Sequence, residues 1–164
     1  MELDEKLEET EAELHGKCME ILAAENLLEI EEIGGNILSE MGDISRFDTA
    51  KESQKLSGMG LVAYSSGKHK GETKISHRGC KRLRYWLFQA AKSAVVHAEE
   101  FRQLHEYYTT RADNPLKKMQ SLIVIACKIL RIIFTILKDG TKYDPARMLK
   151  DIRRMKEQEV VAVA

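Results

Sequence analysis

Two adjacent serines, Ser65 and Ser66, stand before Gly67 and open a strongly basic stretch. From Tyr64 to Arg84 the chain carries seven Lys/Arg (Lys68, Lys70, Lys74, Arg78, Lys81, Arg82 and Arg84) against one acid, Glu72. A serine hydroxyl is a weak nucleophile until a base, a metal or dense positive charge activates it. Attack on a phosphodiester gathers charge on the phosphoryl oxygens, and fixed cations or backbone donors must offset that charge. Serines, a glycine that lets the backbone turn, and clustered cations are therefore the residue types that phosphodiester chemistry needs. His69 adds a group able to move a proton, but spacing alone does not single out a base among Lys68, His69, Lys70, Lys74 and Arg78. Any one of them read by itself is a phosphate-positioning contact before it is a catalyst.

The elements on either side must hold this stretch. Leu61–Tyr64 is apolar and reads as a short strand or an extended entry. Ser76 is placed to cap a helix that starts near His77, with Leu83, Trp86, Leu87, Ala90, Ala91, Ala94, Val95 and Ala98 at helical spacing. Arg78, Lys81, Arg82 and Arg84 then fall in its opening turns, where cations oppose the helix dipole. A phosphate partner explains them, and a solvated basic face is the plain alternative. Trp86 reads as core, and Phe88 flanks the basic face. His97 and His105 read as surface or boundary histidines.

The rest of the chain reads as helical scaffold. Charged residues are 32% and aromatics 6%, a mixture suited to a helical protein. The net charge of zero hides an asymmetry: residues 1–32 carry twelve Asp/Glu against Lys6 and Lys17. An acidic head on a basic body points to a body that meets a polyanion. Residues 2–30 read as one long coiled-coil-like helix, with Leu7, Leu14, Ile21 and Leu28 every seven positions; an amphipathic helix lying on its own domain is the alternative. Gly34-Gly35 reads as a turn before a short apolar helix. Glu31 and Glu32 beside it argue against an anion site there. Thr49 and Glu52 form a capping-box pattern, and Ser57-Gly58-Met59-Gly60 ends the short helix that follows.

A helix over about 99–111 carries Phe101, Leu104 and Tyr108. Asp113-Asn114-Pro115 starts the most apolar one, Leu116–Lys138, which Gly140 closes. Its apolar run, Leu122–Leu137, is short for a membrane span and is interrupted by Lys128 and Arg131. Tyr143-Asp144-Pro145 is a turn, and fraying is expected over 146–164. Three widely spaced cysteines imply no disulfide framework. His77 and Cys80 lack the partners a zinc site needs. With no signal peptide visible, a cytoplasmic protein with no membrane partner is expected. The expected fold is mainly α: an arm over 1–30, a compact helical domain with a basic serine loop over 31–145, and a basic, flexible tail over 146–164.

Four ordered blocks carry a resemblance. They are Gly42–Phe47 (GDISRF), Ser65–Gly71 (SSGKHKG), Ile75–Gly79 with Leu83-Arg84, and Lys117–Gln120 leading to Lys138–Pro145 (KDGTKYDP). Together they resemble the carboxy-terminal transposase domain of the IS-one-ten family, the bridge-RNA-guided DEDD transposases. The resemblance implies DNA transposition with a serine nucleophile that precedes a glycine; Ser66 matches it, with Ser65 as its neighbour. The basic residues Lys68, His69, Lys70, Lys74, Arg78, Lys81, Arg82 and Arg84 are the expected nucleic-acid contacts. The resemblance further implies DNA and a structured guide RNA as partners, and assembly as a homo-oligomer or with a full-length transposase.

The family's Mg2+ belongs to four acids of an amino-terminal RuvC-like domain. No metal or other cofactor is expected in this chain, which starts at Met1 without room for that domain. The family's Gly-x-Gly turn is also altered here, to Ile33-Gly34-Gly35. A truncated copy is therefore expected, inactive alone. The alternative is a non-catalytic remnant that binds nucleic acid or pairs with intact transposase and inhibits it.

Overall fold

The computed structural model describes residues 31–63, 73–141 and 143–163. The arm over 2–30 lies outside the described residues. The described fold is mainly α, as expected. Its order is α1 (Glu31–Met41), a 3-10 turn (Ile44–Arg46), α2 (Ala50–Leu56), β1 (Leu61–Ala63), β2 (Thr73–Ile75), α3 (Lys81–His97), α4 (Glu99–Thr110), α5 (Lys118–Asp139) and α6 (Pro145–Val163).

Helix α3 lies at the centre, packed by α1, α4 and α5. Its inner stripe Leu83, Leu87, Ala90, Ala91 and Ala94 is buried. Facing it, α5 buries Ile125, Ala126, Ile129, Leu130 and Ile133. The stripe of Leu83, Leu87 and alanines recurs every three or four residues, as a helix that buries one face requires. Alanines on both helices leave small contours, so large side chains from the facing helix fill the space between. Each fully buried leucine contributes about 2 kcal/mol by transfer from water. Helix α2 packs on α5, where Arg131 Nη2 donates to Gln54 Oε1 at 3.2 Å.

Several local expectations change. The Gly34-Gly35 turn does not form; α1 runs through both glycines. Gly34, Ile37 and Met41 are buried on one stripe against α3, and that packing offsets the helix cost of glycine, about 1 kcal/mol each. Thr49 makes no side-chain cap bond; instead Glu52 Oε2 accepts from Asp48 N at 2.9 Å. Ser76 does not cap α3. Cys80 does, its Sγ accepting from Leu83 N at 3.4 Å, so α3 starts at Lys81 and Arg78 precedes it.

Helix α5 starts at Lys118, three residues past Pro115, with Lys117 N donating to Gln120 Oε1 at 2.9 Å. It is 22 residues long and, by length and composition, apolar enough to cross a membrane. Here its inward face is core, with Ile125, Ala126 and Leu130 fully buried.

The expected fraying after Pro145 gives way to α6. Asp144 Oδ1 accepts from Ala146 N at 2.9 Å and Arg147 N at 3.3 Å, with Pro145 in the first turn. Met148 and Ile152 are buried in the common core against α4. Beside them the Tyr143 hydroxyl donates to the buried Glu100 carboxylate at 2.7 Å. Burial first, then that bond, pushes the Tyr143 phenol far above its ordinary range.

Candidate nucleic-acid interface

The segment that holds Ser65, Ser66, Lys68, His69 and Lys70 lies outside the described residues; the elements that flank it are described. Strands β1 and β2 pair antiparallel with Leu61 opposite Ile75, Val62 opposite Lys74 and Ala63 opposite Thr73. Residues 64–72 are thus the connection of a hairpin. Of the two alternatives for Leu61–Ala63, a strand is what forms.

The hairpin is tied to the helices by a second set of backbone bonds below the strands. Ser76 N donates to Gly60 O at 2.8 Å, His77 N to Gly58 O at 3.0 Å and Cys80 N to Leu56 O at 2.7 Å. The end of α2 explains why the chain can do this. Gly58 N donates to Lys55 O and Met59 N to Gln54 O, with Gly58 in the left-handed region at φ 68°. That pair of bonds is the αL stop that two glycines in the sequence announce. Gly79 crosses directly over this stop at φ 149°; a Cβ there would lie 2.3 Å from Leu56 O and 2.6 Å from Gly58 N. Only glycine fits where two backbones approach this closely.

The cations divide into two groups. Arg84 is half-buried, and its Nη1 donates to Ser57 O at 2.9 Å, closing the carboxy-terminal end of α2. A cation at a helix carboxy terminus is favourable, so Arg84 has a structural partner. Arg82 Nε lies 2.9 Å from Glu40 Oε1, and the Cys80 thiol donates to Glu40 Oε2 at 3.2 Å. Glu40, carried by α1, therefore sets negative charge beside the start of α3, where the dipole favours it. Arg78 and Lys81 are exposed, and Lys74 is exposed on β2. The geometry brings Arg78, Lys81, Arg82 and Arg84 together at the hairpin base, with Arg84 turned to the fold.

Glu40 could not be found from sequence as a partner of Arg82, because the two are far apart along the chain. Tyr85 and Lys92 on α3 were also missed, although their spacing from Lys81 on a helix without acids was a readable signal.

Two recognised blocks meet elsewhere. Asp43 carboxylate oxygens accept from Ser45 N and Ser45 Oγ, and these bonds hold the Asp43 carboxyl below its ordinary range. Phe47 is buried, and Lys138 Nζ donates to its carbonyl at 2.7 Å. Lys138 thus ties the second block to the backbone of the first, while Asp43 caps the turn within its own block. His105 Nδ1 lies 2.9 Å from the buried Ser121 Oγ; burial first, then Lys118, lowers its pKa. His97 is exposed at the surface and His105 half-buried at the boundary, within the surface-or-boundary expectation. Trp86 packs on the core. Among the described residues no three His, Cys, Asp or Glu side chains converge to hold a metal.

A helical scaffold that braces a hairpin beside exposed cations is the class of domain this geometry defines. Residues 29–109 match the Transposase IS116/IS110/IS902 family. The chain is 24% identical over 114 residues to an insertion element IS116 uncharacterized 44.8 kDa protein of Streptomyces clavuligerus. The similarity covers 70% of this chain and 28% of that relative. The matched segment takes in α1 to α4 with the hairpin. Helices α5 and α6 lie beyond it, yet they supply nine of the twenty buried hydrophobic residues among those described.

Proposed function

We propose that this chain acts in DNA transposition as the nucleic-acid-binding, serine-bearing domain of an insertion-sequence transposase. The observation that carries the proposal is the hairpin of the matched segment, whose two strands flank residues 64–72 with Ser66 and whose base is tied by backbone bonds to the end of α2. A loop on a rigid base is where a nucleophile can be held in register with a phosphate. Ser66 Oγ would attack a DNA phosphorus. One P–O ester bond forms to serine as one breaks to the departing strand, whose oxygen takes a proton as the serine loses one. The link is then reversed by a new strand end. Phosphoester number is conserved throughout, so no energy cofactor is needed. Ser65 is the less favoured neighbour.

Lys68, His69, Lys70, Lys74, Arg78, Lys81 and Arg82 would position DNA, or a structured guide RNA, through phosphates. Metal chemistry would be supplied by a nuclease domain in the same assembly. Cytoplasmic DNA is the expected site of action.

The test pairs this chain with a full-length transposase of its own element. Covalent DNA on Ser66, lost in Ser66→Ala while binding persists, is the expected result. Strand exchange that survives Ser66→Ala removes Ser66 from the role. Salt-sensitive binding without any covalent product would instead favour a remnant that binds or inhibits.

A further inference from the structure

Helix α3 has a second surface that the hairpin does not use. Its seventeen residues, KRLRYWLFQAAKSAVVH, contain no Asp or Glu. Opposite the buried stripe, Lys81, Tyr85, Lys92 and Val96 are exposed and recur at spacings of four, seven and four, which is one face of the helix. Tyr85 is 53% exposed, leaving a large part of its ring open to solvent. It is not loose: its ring meets Trp86 edge-on, with centroids 5.1 Å apart at 73°. Trp86 itself packs on the core. The tyrosine is thus a braced, outward aromatic with a lysine on either side along the axis. Lys81 and Lys92 are eleven residues apart, a rise of about 16 Å. That is the stacked length of roughly five nucleotides at about 3.4 Å each. At the Lys81 end of this face, Glu40 is engaged by Arg82 and Cys80, and at the Val96 end Glu99 pairs with Arg102.

We propose that the outer face of α3 binds one unpaired nucleic-acid strand, with Tyr85 stacked on a base and Lys81 and Lys92 on phosphates to either side. The proposal rests on the nucleic-acid reading above and deepens it. Duplex bases are already stacked and offer no face to Tyr85, whereas an unpaired strand offers both a base face and a phosphate track. Acid-free charge matches a polyanion and argues against a protein partner with an apolar footprint.

The full chain is titrated with a 20-nucleotide single strand of mixed sequence, as DNA and as RNA, and with the corresponding DNA duplex. Trp86 is the only tryptophan and a built-in reporter. Single strand should quench its fluorescence. Tyr85→Leu should weaken single-strand binding by about 5- to 100-fold, the worth of one stacked base. Tyr85→Phe should restore both binding and quenching, and duplex affinity should shift less than about 2-fold. Lys81→Gln and Lys92→Gln should each lower the salt slope by about 0.7. Tyr85→Leu that binds single strands like wild type, or weakens duplex equally, overturns the stacking proposal and leaves the nucleic-acid reading standing. Wild-type protein that binds none of the three probes, or binds without salt dependence, overturns both. Loss of either DNA or RNA binding with Tyr85→Leu supports the proposal and identifies the strand.

Discussion

The two sides of the hairpin–α3 junction are built from the same residue types and do opposite things. On the inner side Arg84 Nη1, Ser76 and the His77 N–H donate to backbone carbonyls at the end of α2 and the start of the hairpin, and Gly79 crosses over them. On the outer side Arg78, Lys81, Tyr85 and Lys92 stand exposed along an edge without acids. One basic run in sequence is therefore two populations in space. The difference teaches that charge density by itself does not identify a binding residue. A guanidinium that closes a helix end is committed to the fold, and an ammonium of the same run three residues earlier is available to a ligand.

The sharpest way to break this division is at Gly79. A Cβ there meets backbone on both counts, Leu56 O at 2.3 Å and Gly58 N at 2.6 Å, in a conformation that L residues rarely adopt. No side chain can swing aside to relieve it. Gly79→Ala is expected to cost roughly 3–5 kcal/mol, a large part of the stability of a domain this size. Denaturant unfolding measures it. A loss below about 1 kcal/mol would mean the crossing is loose and the hairpin base is not braced.

A middle-sized effect separates the two populations directly. Arg84→Met leaves the Ser57 carbonyl without its charged donor, which should cost about 1.5–3 kcal/mol. Lys81→Met should change stability by no more than about 0.5 kcal/mol. Nucleic-acid binding should respond in reverse: the salt slope falls by about 0.7–0.9 for Lys81→Met and stays unchanged for folded Arg84→Met. Equal slopes for the two variants would erase the distinction between inner and outer cations.

The parts of this arrangement legible in sequence are those with local causes. Gly58 and Gly140 were readable as helix stops because a left-handed cap needs only a few neighbouring residues. The α3 stripe was readable because burial of one helix face imposes its own period. The failures share a different cause. Gly34-Gly35 stays helical because α3 covers that face, a contact from residues nearly fifty positions on. The α3 cap falls on Cys80, not Ser76, because Ser76 is consumed by Gly58 and Gly60 across the junction. Helix α6 holds because Met148 and Ile152 find a core that its own composition does not advertise. Arg84 looked like its basic neighbours until Ser57 was beside it.

Arg82 sits on the border of the two populations, and Glu40 decides its side. The Arg82 side chain is 76% exposed, while Glu40 is 17% exposed and accepts from both Arg82 Nε and the Cys80 thiol. An exposed ion pair of this kind contributes at most about 1 kcal/mol, so Glu40→Gln should barely move the unfolding midpoint. The amide oxygen can still accept from Cys80, which keeps the local fold. What changes is the charge that competes with a phosphate for Arg82. Nucleic-acid affinity should rise a few-fold, and the salt slope should steepen by about one phosphate contact, roughly 0.7–0.9. Arg82→Gln in the wild-type background should then have less effect than Arg82→Gln in the Glu40→Gln background. The difference between those two is the coupling that a double-mutant cycle reads. A cycle with no coupling would place Arg82 wholly with the outer cations, and Glu40 would keep only its bond to Cys80.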